Sequence, residues 1–190
     1  PFELVLLERP QQLRLEFERH VADFVQKQGA HVGQFQPADA LRDVAGLQKG
    51  DRVALLAHDG VEHLDTFFAC AKLGAIHEPF NWRLHWRELA GLIELTTPKV
   101  LIYTDDFKTN VTEIQKEIRD SKFEIKHYLH IDGEGIDGSL HFETTLQASP
   151  DTRVTCESLV AEDIACLLFT GGTTGLPKAA MISHRMICWN

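Results

Sequence analysis

The stretch richest in chemistry runs from Leu167 to His184, LLFTGGTTGLPKAAMISH, where an apolar run meets a loop dense in glycine and threonine with a single lysine. Residues of these types hold anions. Gly171, Gly172 and Gly175 permit backbone angles and close approaches that side chains would block, so successive N–H groups can line a concave nest for phosphate oxygens. Thr170, Thr173 and Thr174 add hydroxyl donors, and Lys178 adds a positive charge. The spacing is not that of a Walker loop, because Pro177 precedes Lys178 and Ala179 follows it, where that loop needs Gly before the lysine and Ser or Thr after. On composition alone the run also fits a glycine-rich hairpin loop between two strands.

Three other groups are weaker. Asp132 to Gly138, DGEGIDG, contains a GxGxxG spacing after a strand, as in dinucleotide-binding turns. Glu134 and Asp137 would repel a pyrophosphate, and the SLHFE that follows does not open as a capped helix, so a solvated acidic loop is expected. His127 and His130 are three apart, a spacing that points them to opposite faces of a strand and away from a shared metal. Trp82 and Trp86, beside Arg83 and Arg87, have the chemistry to stack a base, but aromatic residues next to a helix start fit core or interface packing better.

The elements that must position the loop follow from periodicity. Val53 to Ala57, Ala75 to Phe80, Val100 to Thr104, His127 to Ile131 and Ile164 to Phe169 read as strands. Val61 to Leu73, Trp86 to Leu95 and about Lys108 to Asp120 read as helices between them, the last with Val111, Ile114 and Ile118 on one face. For the first helix, Asp59 and Glu62 have capping-box spacing. Leu64, Phe67, Phe68 and Ala71 form the expected core stripe, and Gly74 stands where a left-handed C-cap belongs. Strands separated by helices of this length predict an α/β fold, a mostly parallel sheet with right-handed crossovers and helices on both faces. Upstream, Leu13, Phe17, Val21, Phe24 and Val25 support a helix over about Gln11 to Lys27, followed by a loop from Gly29 to Pro37. From Ser183 a helix begins that has no cap by Asn190, so the chain is expected to be cut within a larger architecture.

The 190 residues, 44% hydrophobic and 25% charged, suffice for one domain with a real core. A net charge of −9 supplies no basic field for a phosphate backbone, so nucleic acid is not expected as a partner. The four cysteines, Cys70, Cys156, Cys166 and Cys188, form no CxxC pair; three lie in apolar or helical surroundings that suit buried thiols, and a reducing, cytoplasmic setting is expected. No run reaches the length of a membrane span, and the first residues lack the pattern of an export signal.

The loop closely resembles the phosphate loop of the adenylate-forming (AMP-binding) enzymes, which include acyl-CoA synthetases and fatty-acid–CoA ligases. Their pattern is Tyr or Phe, then TSGTTGxPKG, then Ser/Thr-His after a short strand. Phe169, Thr170, Gly172, Thr173, Thr174, Gly175, Pro177, Lys178, Ser183 and His184 match in order. Gly171 stands where the family usually has serine, and Ala179 where it has glycine. Upstream, Gly50, Asp51, Arg52 and Val53, then Gly74, Ala75, Pro79, Asn81, Arg83 and Leu84, match a second family segment, with Phe80 and Trp82 as changes. The likeness covers about residues 41–190, the expected truncated domain, and leaves 1–40 unassigned.

The resemblance implies that a carboxylate attacks the α-phosphate of Mg-ATP to give an acyl adenylate, and that a thiol, usually coenzyme A, then takes the acyl group. By it Thr170, Gly171, Gly172, Thr173, Thr174, Gly175 and Lys178 bind ATP phosphates, with Lys178 either a contact or a brace, and His184 shapes the loop exit or a substrate wall. ATP, Mg2+ and coenzyme A are the implied cofactors, a small carboxylic acid is the partner substrate, and a homo-oligomer is compatible. The catalytic residues are expected beyond residue 190, and no metal ligand is assigned. Two other readings stay open: a non-catalytic nucleotide- or phosphate-binding module, and part of an adenylation domain that loads a carrier protein.

Overall fold

The computed structural model describes residues 37–148, 156–170 and 178–189. Helix α1 (Pro37–Ala45) precedes β1 (Arg52–Leu56), α2 (Val61–Leu73), β2 (Ile76–Pro79), α3 (Trp86–Thr96) and β3 (Val100–Tyr103). A 3-10 turn (Asp105–Phe107) leads into α4 (Lys108–Glu117). Then come β4 (His127–His130), β5 (Leu140–His141), α5 (Phe142–Ala148), β6 (Ile164–Thr170), β7 (Lys178–Ser183) and α6 (His184–Trp189). The expected helix over about residues 11–27 and the loop after it lie outside the described residues.

The seven strands form one sheet in the order β5-β4-β3-β1-β2-β6-β7, parallel throughout except for the antiparallel β6–β7 pair. This is the α/β fold the alternation of elements predicts. The central strands read as continuous apolar runs because both of their faces are covered. On β1, Val53 and Leu55 face a cluster with Leu41, Ala69, Cys70 and Leu73 from α1 and α2, while Ala54 and Leu56 face Leu89, Leu92, Ile93, Val111 and Ile114 from α3 and α4. Strand β3 repeats the alternation, with Ile102 on the first side and Leu101 and Tyr103 on the second.

Helix α2 departs from expectation in two ways. Its N-cap is Gly60 in extended conformation with no side-chain cap, so Asp59 and Glu62 make no capping box. The core stripe is also rotated: Thr66, Ala69, Cys70, Ala71 and Leu73 are buried, whereas Leu64 is 52% and Val61 53% exposed. Of the expected stripe, Ala71 is buried, Phe67 and Phe68 are half-buried, and only Leu64 points outward. The C-terminal reading holds, with Gly74 left-handed at φ 69° and its N–H directed at the Ala71 carbonyl.

The cysteine expectation also needs correcting. All four are free thiols, but only Cys70 and Cys166 are buried; Cys156 is intermediate and Cys188 exposed. No helix among the described residues is long and apolar enough to cross a membrane.

Candidate functional site

The predicted phosphate loop joins β6 to β7, and Gly171, Gly172, Thr173, Thr174 and Gly175 lie outside the described residues. Its two ends are described. Thr170 and Lys178 are directly paired across the antiparallel ladder, and the Thr170 hydroxyl donates to the Lys178 carbonyl at 3.4 Å. Paired residues of an antiparallel ladder share a face, so the Thr170 hydroxyl and the Lys178 ammonium leave the hairpin on the same side. Both residues are exposed, and Lys178 forms no ion pair among the described residues, which leaves its charge available to an anion. Of the described groups at this mouth, the Lys178 ammonium is the cationic donor, while the Thr170 hydroxyl proton is directed at the Lys178 carbonyl.

The hairpin is held at several levels. Just before the mouth, Phe169 pairs with Ala179 and meets the ring of Phe80 at 5.3 Å. At the far end, Ile164 pairs with Ser183, and the His184 N–H donates to the Asp163 carbonyl at 3.0 Å. Asp163 binds Lys49 Nζ at 2.6 Å and accepts from the Val160 N–H at 2.7 Å. Burial opposes its ionisation, but those two donors and the Lys49 charge outweigh it and hold the carboxyl below its usual range. Lys49 also donates to the Ser158 carbonyl, so the turn before β1 is tied to the segment that leads into β6.

His184 is thus at the base of the hairpin, separated from the mouth by the length of β7, roughly 20 Å at strand rise. It is buried, and burial pushes its imidazole pKa down, with Lys49 adding to that and Asp163 opposing it. The structure brings together Thr170 and Lys178 and sets His184 apart from them.

Elsewhere the acidic loop after β4 is already occupied by its own chain. The Gly135 N–H donates to the Asp105 carboxylate at 3.3 Å, the Ile136 N–H to the Tyr103 hydroxyl at 2.8 Å, and the Asp105 N–H to Asp132 at 2.7 Å. Donors spent on carboxylates do not hold a pyrophosphate. A helix does open at Phe142, contrary to the reading of SLHFE, but only after the short strand β5. His130 binds Ser139 through Nδ1 at 2.9 Å, and no group of His, Cys, Asp or Glu among the described residues is arranged to hold a metal. Arg83 lies 4.0 Å over Trp82 and Arg87 4.6 Å over Trp86, with both indoles packed against the core, as the packing reading expects.

One buried polar group was not anticipated. Glu78 on β2 is fully buried, and Thr96 Oγ1 lies 3.0 Å from both Glu78 Oε2 and the Leu92 carbonyl. A hydroxyl carries one proton, so a neutral Glu78 donating to Thr96, while Thr96 donates to Leu92, satisfies both contacts. Burial pushes this carboxyl up to about 7, against the Thr96 hydrogen bond and the Arg52 charge. A polar residue inside an apolar strand run gives no periodic signal; Glu78 is visible in the sequence only as a carboxylate where the pattern calls for an apolar residue.

A family model for AMP-binding enzymes matches residues 34–190. The chain is 33% identical over 143 residues to the long-chain-fatty-acid–CoA ligase of Thermus thermophilus, covering 75% of this chain and 25% of that protein. It is 34% identical over 142 residues to the crotonobetaine/carnitine–CoA ligase of Salmonella arizonae, covering 73% and 27%. Among solved structures it superimposes on the anthranilate CoA ligase AuaEII in complex with anthranoyl-AMP with a TM-score of 0.69 and 28% identity, over 88% of this chain and 29% of that one. The chain spans about a quarter of the length of the curated relatives it matches.

Proposed function

The chain belongs to the AMP-binding enzyme family, and from that premise we propose that the whole protein activates a carboxylic acid with ATP and passes the acyl group to coenzyme A. Residues 41–190 are its N-terminal part, which carries the phosphate loop, and α1 joins the same core through Ala38 and Leu41.

The observation that carries this reading is the Thr170–Lys178 rung, which holds the two ends of a GGTTGLP segment side by side. The pairing sets the residues that flank this segment one strand spacing apart, about 4.8 Å. The segment's glycines offer backbone N–H groups to phosphate oxygens, Thr173 and Thr174 offer hydroxyls, Thr170 offers its own by turning it from the Lys178 carbonyl to the ligand, and Lys178 either neutralises charge or braces the loop. These groups act by orienting ATP for in-line attack on its α-phosphate and by stabilising the charge that moves onto the departing pyrophosphate. Magnesium, when it accompanies ATP, supplies further neutralisation; no residue of this chain is assigned to it. The acyl acceptor is taken as coenzyme A because the relatives named above are CoA ligases. Those relatives take a long-chain fatty acid, crotonobetaine or carnitine, and anthranilate, so their names set the acid class no more narrowly than a carboxylate.

The test is carboxylate-dependent exchange of labelled pyrophosphate into ATP by the full-length protein, across fatty, small polar and aromatic acids. Exchange with one class supports adenylation and names the acid. Its absence with every class, from folded protein that binds ATP, favours a binding module.

A further inference from the structure

Strands β2 and β6 are laddered through His77 and Cys166. Carried three residues along two parallel strands, that register sets Phe80 opposite Phe169. An odd offset also changes the face: His77 lies against Phe67 of α2, 6.1 Å between rings, whereas Phe80 is 2% exposed in the cluster built by α3 and α4. The Phe80 and Phe169 rings meet there at 5.3 Å, tilted by 46°. Phe80 is fixed from behind, since its N–H donates to the Leu55 carbonyl at 2.9 Å and the turn after it is closed by Leu84 N–H on Asn81. Phe169 is partly buried against the same cluster, and its rung with Ala179 comes one residue before Thr170 and Lys178.

We infer that Phe80 is a positioning residue for ATP, acting through the ring of Phe169 to fix the height and tilt of the hairpin mouth. The inference rests on the phosphate reading of that hairpin. The ladder between β2 and β6 has ended by Phe80, so it is the ring contact that ties the last residues of β6 to the buried cluster. A smaller side chain at 80 gives Phe169 a second rotamer and lets the Thr170–Lys178 rung shift. A positioning effect of this kind falls on ATP and leaves the affinity for the acid unchanged.

The test is a double-mutant cycle in the full-length protein, with Phe80→Leu, Phe169→Leu and the combination, beside Phe169→Tyr, which keeps the ring. Each single Leu variant is expected to raise KM for ATP roughly threefold to tenfold, because small misplacements of positioning groups are costly. The combination is expected to be no worse than either single, as for residues in contact. Phe169→Tyr is expected to behave as the parent, and KM for the acid to stay constant. Unchanged KM for ATP in folded single variants, or effects that multiply in the combination, would overturn the inference. Thr173→Ala with Thr174→Ala serves as reference. If that variant is impaired and the ring variants are not, the phosphate reading stands and only the role of Phe80 fails; if it keeps the parent KM for ATP, both fail.

Discussion

Thr170 and Lys178 form the last rung of the β6–β7 ladder, with the threonine hydroxyl 3.4 Å from the lysine carbonyl oxygen and both side chains on one side of the strand pair. The backbone of Lys178 therefore closes the hairpin, while its ammonium is available for a ligand. Lys178→Met keeps the first role and removes the second. It is expected to raise KM for ATP in the full-length protein and to reduce the dependence of that KM on salt. Exposed as it is, it should change unfolding free energy by no more than about 0.5 kcal/mol. A salt dependence equal to the parent's would assign Lys178 to bracing alone.

Glu78 and His77 are neighbours with opposite titration behaviour. Burial raises Glu78 from 4.5 to about 7, so the stability its neutral form supports is complete below about pH 4.5 and is lost as pH rises through 7, by roughly 3 kcal/mol. Burial, aided by His63, lowers His77 from 6.5 to about 3, so its contribution is present above pH 6.5 and is lost as pH falls toward 3. Between 4.5 and 6.5 the two slopes oppose each other. Glu78→Gln stays neutral, so urea titrations should show it gaining on the parent as pH rises toward about 8, with the His77 slope uncovered below pH 6.5. Parallel curves for parent and variant would contradict the neutral Glu78 assignment.

The Tyr103 hydroxyl accepts the buried Ile136 N–H at 2.8 Å. Tyr103→Phe strands that donor, which costs about 1–3 kcal/mol. The loss is local: amide exchange should accelerate across residues 132–139 while the amides of β1 keep their protection.

Gly74 ends α2 at φ 69°, and a Cβ there would lie 3.0 Å from the Cys156 sulfur. Gly74→Ala is expected to lower stability by about 1–2 kcal/mol from the backbone conformation alone. Cys156→Ala in the same background should recover only the part due to crowding, as thermal unfolding of the four proteins of the cycle would show.

The sheet was legible because its central strands are apolar on both faces and its helices keep a 3.6-residue period between them. Helix α2 was legible in extent and only partly in orientation, since Leu64, Phe67 and Phe68 outweigh Ala69, Cys70 and Leu73 in hydrophobicity although the smaller set is the fully buried one. The cap of α3 was missed because it is a histidine: His85 accepts from the Arg87 N–H while Glu88 accepts from the His85 N–H. Strand order could not be read either, because a right-handed crossover fixes the hand of a connection and not which edge it joins. At the site, the motif named Thr170 and Lys178 and implied a strand after the loop, but their rung, and the ring contact behind it, are tertiary facts without a local signal.

We propose that the tip between β6 and β7 holds ATP phosphates. The most direct measurement of this is acid-dependent pyrophosphate exchange by the full-length protein with Thr173→Ala and Thr174→Ala together, against the parent at equal thermal stability. Loss of these loop hydroxyls should leave unfolding within about 0.5 kcal/mol of the parent and lower exchange at limiting ATP by on the order of tenfold or more. Equal exchange in the two proteins would contradict the assignment of this hairpin to phosphate.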